Sequence, residues 1–287
     1  MIDNNKKLPI LISVPHGGLT IPSFIRDKCL LSEKDILLDC DTWSNYLYDF
    51  KNDVEEFMET DISRIVVDLN RSIDDMPPTN PDGIIKTKTV DGKTVWNTFS
   101  GELSEIEIKE IIDRYYKPYH IKLERASNNP HVLLGIDCHT MLDIGPVKNS
   151  NSWEKRPIFC LGNRGSLTGE IKHEPISAPS ELILKFKSLL EKKFANFISL
   201  PLGEDVPLVT INDPFSGGYI TKHHGQKGLI PWVQLEINRS LYLPSSDLLS
   251  IEPSQLDLAR MKEIKTRLYK VFQELIDEFT TTRKKVR

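Results

Sequence analysis

Four stretches of this 287-residue chain place reactive side chains directly after, or inside, apolar runs. His16 follows Ile10–Val14 and Pro15, and precedes Gly17 and Gly18. Asn70 and Arg71 follow the run Arg64–Leu69. His139 closes a run that holds Val132, Leu133, Leu134 and Ile136. Glu236 sits between Leu235 and Ile237. In layered α/β proteins ligands bind outside the carboxyl ends of strands, so these positions are where chemistry is expected. Two imidazoles at neighbouring strand ends can share one metal ion. Asp39 and Asp41 belong to the first predicted helix, where the dipole also favours carboxylates, and either can supply a third ligand. Two His and one Asp with an open fourth position form the donor set of a catalytic zinc site. The alternation Val233, Leu235, Ile237 puts Glu236 on the opposite strand face. A buried carboxylate there is costly unless paired or functional. Beside a metal-activated water it would act as general base; the plain alternative is an ion pair with Arg239. Arg71 and Arg64, at the two ends of one predicted strand, suit bidentate recognition of a carboxylate, and Asn70 adds an amide donor.

The elements that must position these residues are legible as periodic segments. Ile10–Val14, Arg64–Leu69, His131–Asp137, Ile158–Leu161, Leu208–Ile211 and Val233–Ile237 read as strands. Ser32–Phe50, Ser104–Ala126, Ser180–Phe197 and Gln255–Phe279 have helical spacing. Ser32 is an expected N-cap, and Ser104 with Glu107 an expected capping box. Pro118 should kink the second of these helices. Ile84–Trp96 reads as a hairpin turning at Asp91–Gly92. Strands alternating with long helices predict an α/β fold of three layers. Two segments, Leu142–Arg156 and Asn212–Gly228, lack a clear pattern, and loops of that length tend to be functional. The second holds four glycines and is expected to act as a lid.

Composition narrows the function classes. Lys plus Arg is 37 and Asp plus Glu is 41, a net charge of −4. No basic stripe points to nucleic acid. No apolar run approaches the ~20 residues of a membrane span, and the polar Met1–Lys7 lacks a signal-peptide core, so a cytoplasmic location is the expectation. Cys29, Cys40, Cys138 and Cys160 form no CxxC pair and are expected as reduced thiols. No linker or repeat interrupts the chain. One domain over 1–287 is expected, with a frayed tail at 280–287.

Six short motifs in order resemble the N-formylglutamate amidohydrolase family. They are Ser13-Val-Pro-His16-Gly-Gly followed by Ile-Pro; Asp39-Cys-Asp41 followed by Leu47-Tyr-Asp-Phe50; Arg64 followed by Val-Val-Asp-Leu-Asn70-Arg71; Asp137-Cys-His139; Asn212-Asp-Pro-Phe-Ser-Gly-Gly-Tyr219; and Gln234-Leu-Glu236. Together they run from about residue 9 to residue 243. The resemblance implies a mixed β-sheet flanked by helices, zinc-carboxypeptidase-like (phosphorylase/hydrolase-like). It also implies hydrolysis of the amide of a small N-formyl or N-acyl amino acid with one zinc. His16, Asp41 and His139 would then be ligands, with Asp41 preferred over Asp39 on the family pattern. Glu236 would be the base, and Asn70, Arg71, Arg64 and Tyr219 would face substrate. The sequence departs from the family at Thr42-Trp43-Ser44-Asn45, where a Trp-His pair and an Asp are usual, and the insert Lys86–Trp96 and the loop Ser150–Arg156 are not expected to be shared in detail. Two rival expectations are a degenerate acyl-amino-acid binder and a His-His-Asp non-haem iron enzyme.

Overall fold

The structure, a computed structural model, describes residues 7–97, 102–145, 154–197 and 206–286, with side chains to residue 281. The polar start at 1–6 and the central part of the predicted 142–156 loop lie outside the described residues. Six strands, β1 (Leu8–Val14), β2 (Val54–Glu59), β3 (Leu134–Met141), β4 (Phe159–Gly162), β5 (Val209–Ile211) and β6 (Trp232–Asn238), form one sheet. Its order is β2-β1-β3-β6-β4-β5. Every neighbouring pair is parallel except β4 with β6, so the sheet is mixed. The helices are α1 (Glu33–Asp39), α2 (Ser44–Leu47), α3 (Glu105–Ile111), α4 (Lys117–Ser127), α5 (Ser180–Phe194), α6 (Tyr219–Lys227) and α7 (Gln255–Val286).

Side-chain alternation divides the sheet into two faces. Ile10, Ile12 and Val14 of β1, Leu134, Ile136 and Cys138 of β3, and Val233, Leu235 and Ile237 of β6 share one apolar cluster with α2, α5 and α7. The other face holds Leu11 and Trp232 at its lower end, packed with α3, α4 and α6. Towards the carboxyl ends that second face turns polar. Ser13 pairs in register with Asp137, Asp137 with Gln234, and His139 with Glu236. Three layers therefore converge on a polar patch at the strand ends, surrounded by apolar packing.

Several local expectations change. The apolar run Arg64–Leu69 is no strand; its buried residues turn through the second core, with the Val66 N–H bonded to the Ser63 carbonyl. A continuous apolar run does not distinguish a buried strand from a buried turn. The edge strand is β2, whose sequence VEEFME is half-exposed and charged, as edges commonly are. Helix Ser32–Phe50 is two short helices broken at Cys40–Trp43, with the Ser32–Asp35 capping box at its start. Ser104 and Glu107 do form a capping box. Pro118 is accommodated by a π turn over Ile112–Tyr116, in which the Lys117 N–H reaches the Ile112 carbonyl. The hairpin turn exists at Thr89–Lys93, with Gly92 at φ +89°, but only an isolated bridge, Lys88 with Thr94, flanks it. Residues 219–227 form α6, so the predicted lid is confined to the short loop 212–218. α7 continues to Val286, beyond the predicted end at Phe279. All four cysteines are free thiols. No described helix is long and apolar enough to cross a membrane.

Candidate metal centre

His16 leaves the end of β1 where the chain must pass close to the segment around Asp61. A Cβ on Gly18 would lie 2.3 Å from the Asp61 carbonyl carbon, so only glycine allows this turn. Asp41 stands in the break between α1 and α2, tied back by its N–H to the His16 carbonyl at 3.1 Å. His139 comes from β3. These three side chains meet, all buried, with one ligand atom from each within 4.8 Å of the others. His139 Nδ1 is 3.2 Å from His16 Nδ1 and 3.2 Å from Asp41 Oδ2; His16 Nδ1 is 3.7 Å from the same oxygen.

The opposite ring edges explain why the Nδ1 atoms converge. His16 Nε2 lies 2.8 Å from Asp68 Oδ1, and His139 Nε2 lies 2.9 Å from Asp137 Oδ2. A carboxylate accepts, so each Nε2 carries the ring proton and each Nδ1 presents a lone pair. Two lone pairs and a carboxylate oxygen pointed at one another repel unless a cation lies among them. Carboxylate–imidazole pairs of this kind orient metal-ligating histidines. Where no cation lies there, the same carboxylates draw a proton onto the cluster, and a bound ion would displace it. Burial alone would lower the His139 pKa, but the Asp137 carboxylate and Asp41 outweigh it and hold it well above its ordinary value. Burial alone would raise Asp41, yet hydrogen bonds from His139 and His16 hold it well below. The residues present fit a divalent ion bound by two nitrogens and one oxygen.

Asp39 is not part of this cluster. Its carboxylate accepts from Lys86 Nζ at 2.8 Å and from the Val90 N–H at 2.6 Å, and Lys86 is fully buried. Asp39 thus neutralises a buried ammonium together with Asp82, whose Oδ1 is also 2.8 Å from Nζ. Removing one partner of such a group is destabilising. Asp39→Asn is expected to lower stability by about 3 kcal/mol, a fall in Tm of about 5–10 °C, with metal content unchanged. Calorimetry with metal analysis checks this; a loss of metal at unchanged Tm would contradict it.

Glu236 is 6% exposed on β6, directly opposite His139. Burial raises its pKa to about 7. Gln234, two residues earlier on the same face, donates to it from Nε2 at 2.9 Å, while the Gly218 N–H donates to Gln234 Oε1 at 2.6 Å and so fixes the amide's orientation. Arg239 is not its ion-pair partner: that guanidinium bonds Thr140 Oγ1 and the Leu38 and Cys40 carbonyls.

These groups line a cleft of about 410 Å³, a volume in the range of small-molecule sites. Arg71 stands at its mouth, 35% exposed, with Asp82 at 3.2 Å. The other expected substrate contacts have partners within the fold, and Arg64 and Asn70 line the cleft. Arg64 is held by Asp68 at 2.6 Å and thereby buttresses the carboxylate that orients His16. Asn70 is a spacer: its Oδ1 accepts from the Ile220 N–H, its Nδ2 lies 3.1 Å from His139 Nε2, and Gly218 packs so tightly on it that a Cβ would come within 2.2 Å. Tyr219 points away from the cleft and pairs with His223 at 3.1 Å. The departing residues 42–45 also lie outside the cleft lining; Trp43 is a buried core residue whose indole N–H bonds the Ile251 carbonyl. Asp68, Asp137, Gln234 and Arg156 are site residues that the sequence analysis left without a role. The i−2 spacing of Asp137 to His139, and of Gln234 to Glu236, is the strand signal that points to two of them.

Behind the cleft, His120 Nδ1 lies 3.1 Å from His224 Nε2. Burial lowers His120 to about 4 and His224 to about 3. An unfolded imidazole titrates near ~6.5, so below that pH the unfolded chain binds more protons and stability falls as pH drops towards the folded values. His139 has the opposite shift; its contribution is complete below ~6.5 and flat in that window. Between pH 7 and pH 5 each of these rings is expected to cost the chelated protein up to about 2 kcal/mol, while Glu236, raised to about 7, gains a comparable amount, so the net loss is about that of one ring. Urea midpoints at the two pH values check this, and His224→Gln should flatten the dependence.

The family profile described as N-formylglutamate amidohydrolase matches residues 8–243. An N-formylglutamate deformylase of Pseudomonas putida is 27% identical over 250 residues, covering 84% of each chain. One of Pseudomonas aeruginosa is 26% identical over 246 residues, covering 83% of each. The crystal structure of N-formylglutamate amidohydrolase from Ralstonia eutropha JMP134 superimposes with a TM-score of 0.67 at 19% identity, over 95% of each chain, a likeness of fold.

Proposed function

Because this chain belongs to the N-formylglutamate amidohydrolase family, we propose that it hydrolyses the amide of a small N-formyl amino acid, N-formylglutamate or a close analogue. The reaction uses one metal ion, zinc on the chemistry of the donor set, with His16, Asp41 and His139 as ligands. The observation that carries this reading is the pair of imidazoles whose Nε2 atoms are engaged by Asp68 and Asp137 while both Nδ1 atoms face Asp41 Oδ2. Two nitrogen donors and one carboxylate suit zinc.

A bound zinc ion would acidify a water and polarise the formyl carbonyl. The chain's own groups perform the remaining tasks. Glu236 accepts the proton of the attacking water and returns it to the leaving amine. Its pKa of about 7 suits both directions of transfer near neutral pH, and a cation beside it favours the ionised form. Gln234 holds that carboxylate in place. Arg71, at the cleft mouth, holds the α-carboxylate and fixes the orientation of the acyl carbon. The burial of His16, Asp41, His139 and Glu236 keeps these groups from bulk water and strengthens their interactions.

A hydrolysis assay over N-formyl and N-acetyl amino acids tests this. Formate release from N-formylglutamate, exceeding acetate release from the acetyl analogue, is the expected result. Binding of these compounds without turnover would favour a degenerate binder instead.

A further inference from the structure

Four arginines line the cleft among the described residues; Arg64 and Arg239 are held by partners inside the fold, while Arg71 stands partly exposed at the mouth. Arg64 is paired with Asp68, Arg71 lies beside Asp82, and Arg239 bonds two carbonyls and Thr140. The fourth, Arg156, is different. It is 5% exposed, it lines the cleft, and its Nε and one terminal nitrogen are buried with no hydrogen-bond partner among the described residues. Its guanidinium carbon lies 4.9 Å from the centre of the Phe215 ring, which covers one face. Its backbone is fixed on both sides: the N–H donates to the Asp143 carbonyl, and Asn238 Nδ2 donates to the carbonyls of Arg156 and Pro157. Burial pushes its pKa below the usual arginine value.

A buried guanidinium with unsatisfied N–H groups is costly. Its rigid fork matches a carboxylate better than any other small anion carried by an amino acid. The residue is held in place, shielded from water on one side by an aromatic ring, and open to the same cleft as Glu236 and His139.

We propose that Arg156 is the receptor for the side-chain carboxylate of the substrate, and so a specificity-determining residue of this cleft. This rests on the hydrolase reading above. The α-carboxylate remains with Arg71, so a dicarboxylic substrate is held at both ends with its formyl group between them. Charged hydrogen bonds of this kind are worth a factor of about 10–100.

The test compares N-formylglutamate with N-formylglutamine, which differ only at the side-chain terminus, on the wild-type protein and on Arg156→Gln and Arg156→Lys. The wild type is expected to favour the acid by about 10–100-fold in kcat/KM. Arg156→Gln should lose that factor on the acid and change the amide by less than about threefold. Arg156→Lys should recover part of the loss, because it keeps the charge and lacks the fork. Equal losses on acid and amide would overturn the assignment, since Arg156 would then serve the α-carboxylate or the fold. A wild-type preference below about threefold would overturn it without any variant, whatever the variants' stability. If no formyl amino acid is hydrolysed at all, the hydrolase reading fails on its own. Calorimetric titration of the chelated protein with the same two compounds then still decides the role of Arg156: tighter binding of the acid that disappears in Arg156→Gln supports it, and equal binding overturns it.

Discussion

Replacing His139 with alanine is expected to reduce bound metal from about one ion per chain to a small fraction, and turnover by about 10³-fold or more. The expectation follows from the position of the ring. Its Nδ1 is within 3.2 Å of both other donors, so its loss leaves one imidazole and one carboxylate, a set that holds zinc weakly. Among the described residues Asp137 then keeps only Ser13 Oγ, at 3.0 Å, as a side-chain partner, and some stability is lost as well. Asp137→Asn separates the two effects. It retains the ring and all three donors, and should weaken metal binding by about 10–100-fold, as removal of a partner behind a ligand does. A His139→Ala protein that keeps stoichiometric metal would remove His139 from the ligand set.

Glu236→Gln is expected to keep the fold and the metal and to lose turnover by about 10²–10⁴-fold. Gln reproduces the shape, and its carbonyl oxygen can still accept from Gln234 Nε2. It cannot accept the water proton. Because a neutral amide is cheaper to bury than a carboxylate, Tm should be unchanged or slightly higher. A structural carboxylate would behave in the opposite way: the variant would be less stable and still active. Formate release and thermal melts on one preparation distinguish the two.

The candidate residues were legible in the sequence, because His16 closely follows an apolar strand and His139 and Glu236 interrupt one with a group that strands do not ordinarily bury. The choice between Asp39 and Asp41 was not. Both lie in one short segment, and only the long-range partner Lys86 separates them, 47 positions from Asp39. The carboxylate behind His16 was equally hidden, since Asp68 is 52 positions away and sits in a turn that imitates a strand. Asn70, Arg64 and Tyr219 illustrate a different limit. Their types suit a substrate carboxylate, but the neighbours that occupy them, Ile220, Asp68 and His223, come together only in the fold. Arg156 gave no signal, because what distinguishes it is that two nitrogens of one buried guanidinium lack partners among the described residues.

Titrating the chelated wild-type protein with zinc while measuring formate release from N-formylglutamate examines the metal and the reaction together. No release before addition, a linear rise, and a break at one equivalent per chain are expected. Release that persists in the chelated protein, or none at any zinc level, would contradict the one-zinc hydrolase reading.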